Sequence, residues 1–144
     1  MKIVIQRVSQ ANVKVDGKVV SEIGKGMMLL VCMEKQDDSK VVEEASRKVL
    51  NYRIFADENG KMNLNLEQVG GEILAVSQFT LSWNGKKGNR PSFDNSKEPN
   101  EALVLFDKFC NYLSASAKVE KGQFGEHMNV SLTNDGPVTF SVDF

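Results

Sequence analysis

Between Gly26 and Glu34 the chain runs through seven apolar residues in succession, Met27-Met28-Leu29-Leu30-Val31-Cys32-Met33. The run is far too short to cross a bilayer. With Gly24 and Gly26 breaking the chain just before it, it reads as one strand buried in a folded interior. The segments around it supply partners for that strand. Ile3, Ile5 and Val8 open the chain with strand character, and Val13 and Val15 alternate with Asn12 and Lys14. Asp16-Gly17 marks a hairpin turn into Val19-Val20. From Ser39 to Asn51, Val41, Val42, Ala45, Val49 and Leu50 share one helical face, with Ser39 placed as the N-cap. Tyr52 to Phe55 returns to strand, and Asp57-Glu58-Asn59-Gly60 is a turn whose spacing does not fit a calcium loop.

Glu72 to Leu81 reads as a central strand running into Trp83, followed by a glycine-bearing basic loop, Asn84 to Pro91. A second helix starts near Pro99, a residue suited to a first turn. Its buried stripe is Ala102, Leu103, Phe106, Phe109, Cys110 and Leu113. Strands at Met128–Leu132 and Val138–Val142 end the chain, with Asn134-Asp135-Gly136-Pro137 as the turn between them. The pattern predicts a single α/β domain over residues 1–144, with many strands and two main helices.

Composition narrows the chemistry. The net charge is −1 and the pI about 5.9, so a broad basic face for gripping many phosphates is excluded. Any nucleic acid must be met locally, at an end or a single loop. His127 is the sole histidine, which rules out a His-rich metal cage. Cys32 and Cys110 lie alone in apolar segments and read as reduced core residues. The start of the chain, with Gln6 and Arg7 interrupting its apolar residues, lacks the long apolar region of a signal peptide. A cytoplasmic protein is expected, with no membrane partner, metal or cofactor.

The common catalytic signatures are missing. Val76-Ser77-Gln78 has no glycines to form a nucleophile elbow, and Gly24-Lys25-Gly26 is not a dinucleotide fingerprint. Two features stand out instead. Ser77-Gln78-Phe79-Thr80-Leu81 puts polar groups at the end of an apolar strand, and Gly136-Pro137 stands between two strands. Each has an ordinary reading, as a strand leaving the core and as a turn.

Together, these two segments resemble the two signature motifs of the D-aminoacyl-tRNA deacylase family, in the right order and separation. Ile5-Gln6-Arg7-Val8, Gly60-Lys61-Met62-Asn63-Leu64, Val69-Gly70-Gly71-Glu72, Arg90-Pro91-Ser92-Phe93 and Gly122-Gln123-Phe124-Gly125 with Met128 extend the likeness over essentially the whole chain. The resemblance implies two packed, barrel-like β-sheets with two helices on one side, assembled as a homodimer with shared active sites. It implies hydrolysis of the ester joining a D-amino acid to the 3′-terminal adenosine of tRNA, a proofreading step in translation. Glycine mischarged on the tRNA for alanine would be a further substrate. Each site would take Ser77, Gln78, Phe79 and Thr80 from one subunit and a cis Gly136-Pro137 peptide from the other.

An aminoacyl ester is already activated, so a positioned water and an oxyanion site suffice for its hydrolysis. That fits a chain without a histidine machine. The backbone N–H groups of Phe79 and Thr80 are the candidate oxyanion donors, with the tRNA 2′-hydroxyl assisting. Thr80 as nucleophile is the alternative, although no base stands near it in sequence. A rigid Gly136-Pro137 backbone against the α-carbon would admit hydrogen and reject an L side chain. Arg7 is the candidate to hold that segment through its carbonyls. Phe124, Gly125 and Met128 resemble the family's adenine pocket, though Phe124 and Met128 suit core packing equally. Lys86, Lys87 and Arg90 are candidate phosphate contacts or simply a solvated loop. The rival classes are a non-catalytic RNA-end-binding module and an ordinary esterase. The first would leave D-aminoacyl-tRNA intact, and the second would act without tRNA and respond to serine-directed reagents.

Overall fold

The apolar run lies at the centre of the computed structural model, which describes residues 1–86 and 88–144. In chain order the elements are β1 (Lys2–Val15), β2 (Lys18–Ile23), β3 (Gly26–Cys32), α1 (Ser39–Asn51), β4 (Phe55–Ala56), β5 (Met62–Leu64), β6 (Glu72–Ser77), a 3₁₀ turn (Phe79–Ser82), α2 (Pro99–Ser114), β7 (Val119–Lys121) and β8 (Asn129–Asp143). Six strands form one sheet in the order β2-β1-β3-β6-β7, with β8 on β1, while β4 and β5 form a separate small ribbon. β3 runs antiparallel to β1 and parallel to β6.

Successive strand residues point to opposite faces, and both faces of β3 are used. Met27, Leu29 and Val31, with Ile73 and Ala75 of β6, meet Val42 and Val49 of α1 and Phe106 and Phe109 of α2. Both helices therefore cover one face of the sheet. On the other face Met28, Leu74 and Val76 join Val8, Ala11 and Val13 of β1, with Met128, Val130 and Leu132 packed against them. Residues from the two ends of the chain share this cluster because the sheet curls into a nearly closed barrel. A Cβ at Gly26 would sit 1.8 Å from the Glu72 carbonyl oxygen. Only glycine lets β3 and β6 start side by side there.

The α/β class, the two helices and the barrel-like sheet agree with the sequence reading, and several boundaries do not. α1 is capped by Asp38 rather than Ser39: the Asp38 carboxylate accepts from the backbone N–H of Lys40 at 2.8 Å and of Val41 at 3.0 Å. In α2, Leu105 takes the buried place expected for Leu103, which is 38% exposed. The strand expected over Tyr52 to Phe55 begins only at Phe55. The strand expected to reach Leu81 stops at Ser77 and folds into the 3₁₀ turn. The two strands expected at the end are one strand, β8, with no reversal: both halves pair antiparallel with β1.

Candidate active site

β6 ends where its polar residues begin. Gln78 donates its backbone N–H to Val31 O at 2.7 Å, the last tie to the sheet, and the chain then turns. Leu81 N–H bonds back to Gln78 O, and the Gln78 Nε2 donates to Thr80 Oγ1 at 2.6 Å. Among the described residues, no acceptor takes the backbone N–H of Phe79 or Thr80. These are the orphan donors that any helical turn leaves at its start.

The direction of one of them is set from below. Cys32, buried at the end of β3, lies with its Sγ 3.5 Å from the Phe79 carbonyl oxygen and 3.7 Å from Met33 O, and its one thiol proton has the Phe79 oxygen as its nearer acceptor. A trans peptide places its N–H opposite its C=O. With the Phe79 carbonyl drawn inward, the Thr80 N–H is turned outward. Burial, with the Glu34 carboxylate adding to it, pushes the Cys32 thiol up to about 11. It stays protonated and keeps its donor at neutral pH.

Beside this turn is a cavity of about 380 Å³, lined by Ser77, Gln78, Phe79, Phe93, Phe106 and Phe124 among others. Phe79 is 56% exposed and meets Phe93 edge-on, with ring centroids 4.9 Å apart. Phe124 leans on Phe106 at 6.2 Å and so serves both the core and the cavity wall. Gly125, at φ +81°, also lines it. The charged groups at its rim are Lys97 and Glu98. Lys97 is already engaged, donating to Lys35 O at 2.9 Å and standing 3.5 Å from Glu101. The result is an aromatic slot with a polar edge, a shape that takes a flat base or a ring.

The second signature segment is built by an irregularity in β8. Val8 pairs with Asn134 and Gln6 with Thr139, so four residues of β8, Asp135 to Val138, stand opposite Arg7 alone. They leave the ladder as a bulge. Asn134 closes its base: Val138 N–H donates to Asn134 Oδ1 at 2.7 Å, and Asn134 Nδ2 donates to Thr139 Oγ1 at 2.8 Å. Arg7 fills the gap, donating from Nε to Asp135 O at 2.9 Å and from Nη1 to Ile54 O at 2.7 Å. At the tip, the Gly136–Pro137 peptide is cis and Gly136 has φ +144°. Both residues are exposed, and neither lines the cavity of its own chain.

The structure thus gathers Ser77, Gln78, Phe79, Phe124 and Gly125 around one cavity, with Thr80 exposed beside it. Met128 is elsewhere, packed in the barrel cluster, where its Sδ would lie 2.8 Å from a Cβ on Gly122. Lys86 and Arg90 are exposed on the loop beyond Trp83, and Lys87 lies outside the described residues. Sequence reasoning missed Cys32, treated only as core, and gave no role to Phe93, whose Arg90-Pro91-Ser92-Phe93 segment was the available signal.

Against known proteins, a family model described as D-Tyr-tRNA(Tyr) deacylase matches residues 4–143. A D-aminoacyl-tRNA deacylase of Histophilus somni is 54% identical over 136 residues, 94% of each chain. One of Kosmotoga olearia is 50% identical over 143 residues, covering 99% of this chain and 97% of that one. The chain belongs to the D-aminoacyl-tRNA deacylase family. As a member of that family it is a hydrolase. The solved structure of a protein named c-Myc DNA Unwinding Element Binding Protein overlays this deacylase with a TM-score of 0.95 at 38% identity, covering 100% and 99% of the two chains. Another, of a probable eukaryotic D-amino acid tRNA deacylase, shares the fold with a TM-score of 0.82 at 18% identity, covering 98% of each. Among the described residues of the deacylase, no group of three or more His, Cys, Asp or Glu side chains is placed to hold a metal. Among the same described residues no helix is long and apolar enough to cross a membrane.

Proposed function

We propose that residues 1–144 form one cytoplasmic deacylase domain that hydrolyses the ester of D-aminoacyl-tRNA, with glycyl-tRNA mischarged on the alanine tRNA as a further substrate. The observation that carries the mechanism is the pair of N–H groups, Phe79 and Thr80, left without an acceptor among the described residues at the edge of an aromatic slot. The terminal adenine enters the slot between Phe79 and Phe124, which brings the scissile carbonyl to the 3₁₀ turn. Water attacks the carbonyl carbon, and the negative charge forming on its oxygen is held by the two N–H groups. The tetrahedral intermediate collapses, the ribose oxygen leaves with a proton, and a free D-amino acid and tRNA separate. The neighbouring ribose hydroxyl orients the water and relays the proton.

Selection against L residues falls to Gly136-Pro137 acting across a homodimer. This segment protrudes, is exposed, and stands away from its own chain's cavity. An apolar cleft of about 160 Å³ lined by Ile5, Tyr52, Ile54, Phe140 and Val142 opens near β8. Among the described residues β8 pairs only with β1. A second copy of the chain would bury both features, and two-fold symmetry would then deliver each bulge to the other subunit's turn. An L side chain would strike the Gly136-Pro137 backbone, a D side chain would project away, and glycine would pass.

The test is matched D- and L-aminoacyl-tRNA with purified protein, with and without EDTA. Rapid loss of the D ester, a spared L ester and indifference to EDTA are expected. Intact D ester at stoichiometric protein would favour the second reading, a non-catalytic nucleic-acid-binding module. The 38% identical structural neighbour, named for binding a DNA unwinding element, is the observation on that side.

A further inference from the structure

The end of the 3₁₀ turn and the loop after it line a second cleft of about 330 Å³ that includes Ser82, Trp83, Asn84, Lys86, Asp94 and Asn95. It shares its walls with the first site: Phe93 and Ser96 line one, while Asp94 and Asn95 between them line the other. Three observations mark it as more than a gap beneath a loop. Ser82 is 7% exposed, and its buried Oγ has no partner among the described residues, although such a group ordinarily finds one. Trp83, the sole tryptophan, keeps 38% of its surface open beside it. Among the described residues two side-chain oxygens keep unused capacity: Asp94 takes Ser92 Oγ on Oδ2 at 2.6 Å, leaving Oδ1, and Asn95 gives Nδ2 to Glu34 at 2.7 Å, leaving Oδ1. An exposed indole beside a side-chain amide carbonyl and a carboxylate acceptor fits a base that carries an exocyclic amino group. Lys86 adds a cation for a phosphate.

We propose that this cleft holds the nucleotide preceding the terminal adenosine, a cytidine in tRNA, with its base on Trp83 and its amino edge toward Asp94 and Asn95. The assignment rests on the deacylase reading, because it needs the adenosine in the slot and the strand continuing past the turn. It explains how a protein of net charge −1 selects an RNA end: it reads two stacked bases and few phosphates.

The probe is the dinucleotide cytidylyl-(3′→5′)-adenosine, compared with adenosine 5′-monophosphate. The dinucleotide should quench the Trp83 fluorescence and bind roughly tenfold tighter, the scale of one base stacked on an aromatic ring. By calorimetry, Trp83→Ala should lose that advantage and Trp83→Tyr should retain most of it. The ratio of kcat/KM on D-aminoacyl-tRNA to that on the D-aminoacyl ester of adenosine should fall by a similar factor in Trp83→Ala. Equal binding of the two probes, or a Trp83→Ala protein that keeps the dinucleotide preference, overturns the subsite whether or not the ester is cleaved. Quenching and preference without any deacylation would leave the subsite standing and sink the deacylase reading instead.

Discussion

The Arg7 Nε lies 2.9 Å from the carbonyl oxygen of Asp135 and 3.3 Å from its carboxylate Oδ2, where residues 135–138 of β8 leave their ladder with β1. The same guanidinium reaches Ile54 O at 2.7 Å, so it spans the bulge and the segment entering β4. A planar fork of donors is needed for this, and the side chain is only 13% exposed. Arg7→Lys has one donor centre and cannot serve both carbonyls. We expect a loss of about 1.5–3 kcal/mol in urea unfolding, the scale of a hydrogen bond to a charged group. Deacylation should fall more than the stability loss explains, because the Gly136-Pro137 tip would lose its anchor. Full activity in a folded Arg7→Lys protein would remove Arg7 from the site.

Gly136 tolerates no side chain. A Cβ there would come within 2.7 Å of Val138 Cγ2, 3.0 Å of Val138 N and 3.1 Å of Arg7 Nη2, at a φ of +144° that L residues rarely adopt. Gly136→Ala should cost about 1–3 kcal/mol in unfolding free energy, the usual scale of such backbone strain. D-ester turnover should drop at least tenfold, while the shape of the bulge, followed by crystallography, shifts at Arg7. An unchanged unfolding midpoint would show that the bulge is softer than its contacts indicate.

Thr80 offers a sharper division between mechanisms. Its Oγ1 accepts from Gln78 Nε2 at 2.6 Å, and its hydroxyl faces solvent rather than a base. If the backbone does the work, Thr80→Ala should retain activity within about a hundredfold of wild type, whereas losing a true nucleophile costs on the order of a million-fold. Single-turnover rates on D-aminoacyl-tRNA decide between the two.

What the sequence makes legible follows from periodicity. The seven-residue apolar run fits only an interior strand, and the helical stripes of α1 and α2 are visible because packing needs a continuous face. The Gly136-Pro137 segment reads as a turn because glycine and proline break a ladder in either setting; the long-range pairing of both halves of β8 to β1 decides against it, and no local signal carries that. Gln78 to Ser82 departs from its strand pattern for a related reason. Alternating polar and apolar residues fit a strand, yet the Gln78 side chain bonds to Thr80 and the chain folds on itself. Cys32 is legible as core but not as the donor that turns the Phe79 carbonyl inward, since that contact joins residues 47 apart.

The two thiols predict a pH dependence. Burial raises Cys32 from 9.0 to about 11 and Cys110 from 9.0 to about 12. Both stay protonated in the native state while the unfolded chain releases their protons above pH 9, so stability from this source is complete below pH 9 and is lost as pH rises toward 11. The slope should approach about 1.4 kcal/mol per pH unit for each thiol in that window. A Cys32→Ala, Cys110→Ala protein should lose stability less steeply over pH 9–11. Parallel slopes for the two proteins would show the thiols ionise in the native state. Neither native thiol should react with iodoacetamide at pH 7.5, because the reactive thiolate is absent.

The shared site is tested by mixing. Gln78→Ala with Thr80→Gly damages the turn, and Gly136→Ala damages the bulge; each protein alone should be poorly active. If a bulge serves the other subunit's turn, a heterodimer of the two has one site carrying both lesions and one carrying neither. Random reassortment makes half the dimers mixed, each with one intact site, so activity should return to roughly a quarter of wild type. If each bulge served its own chain's turn, every site would keep one lesion and mixing would restore nothing. Unfolding and refolding the pair together ensures exchange, and a tag on one variant verifies that mixed dimers form. Mixed dimers without recovery would refute the shared site, and the cavity beside Phe79 would then have to be screened by residues of its own chain.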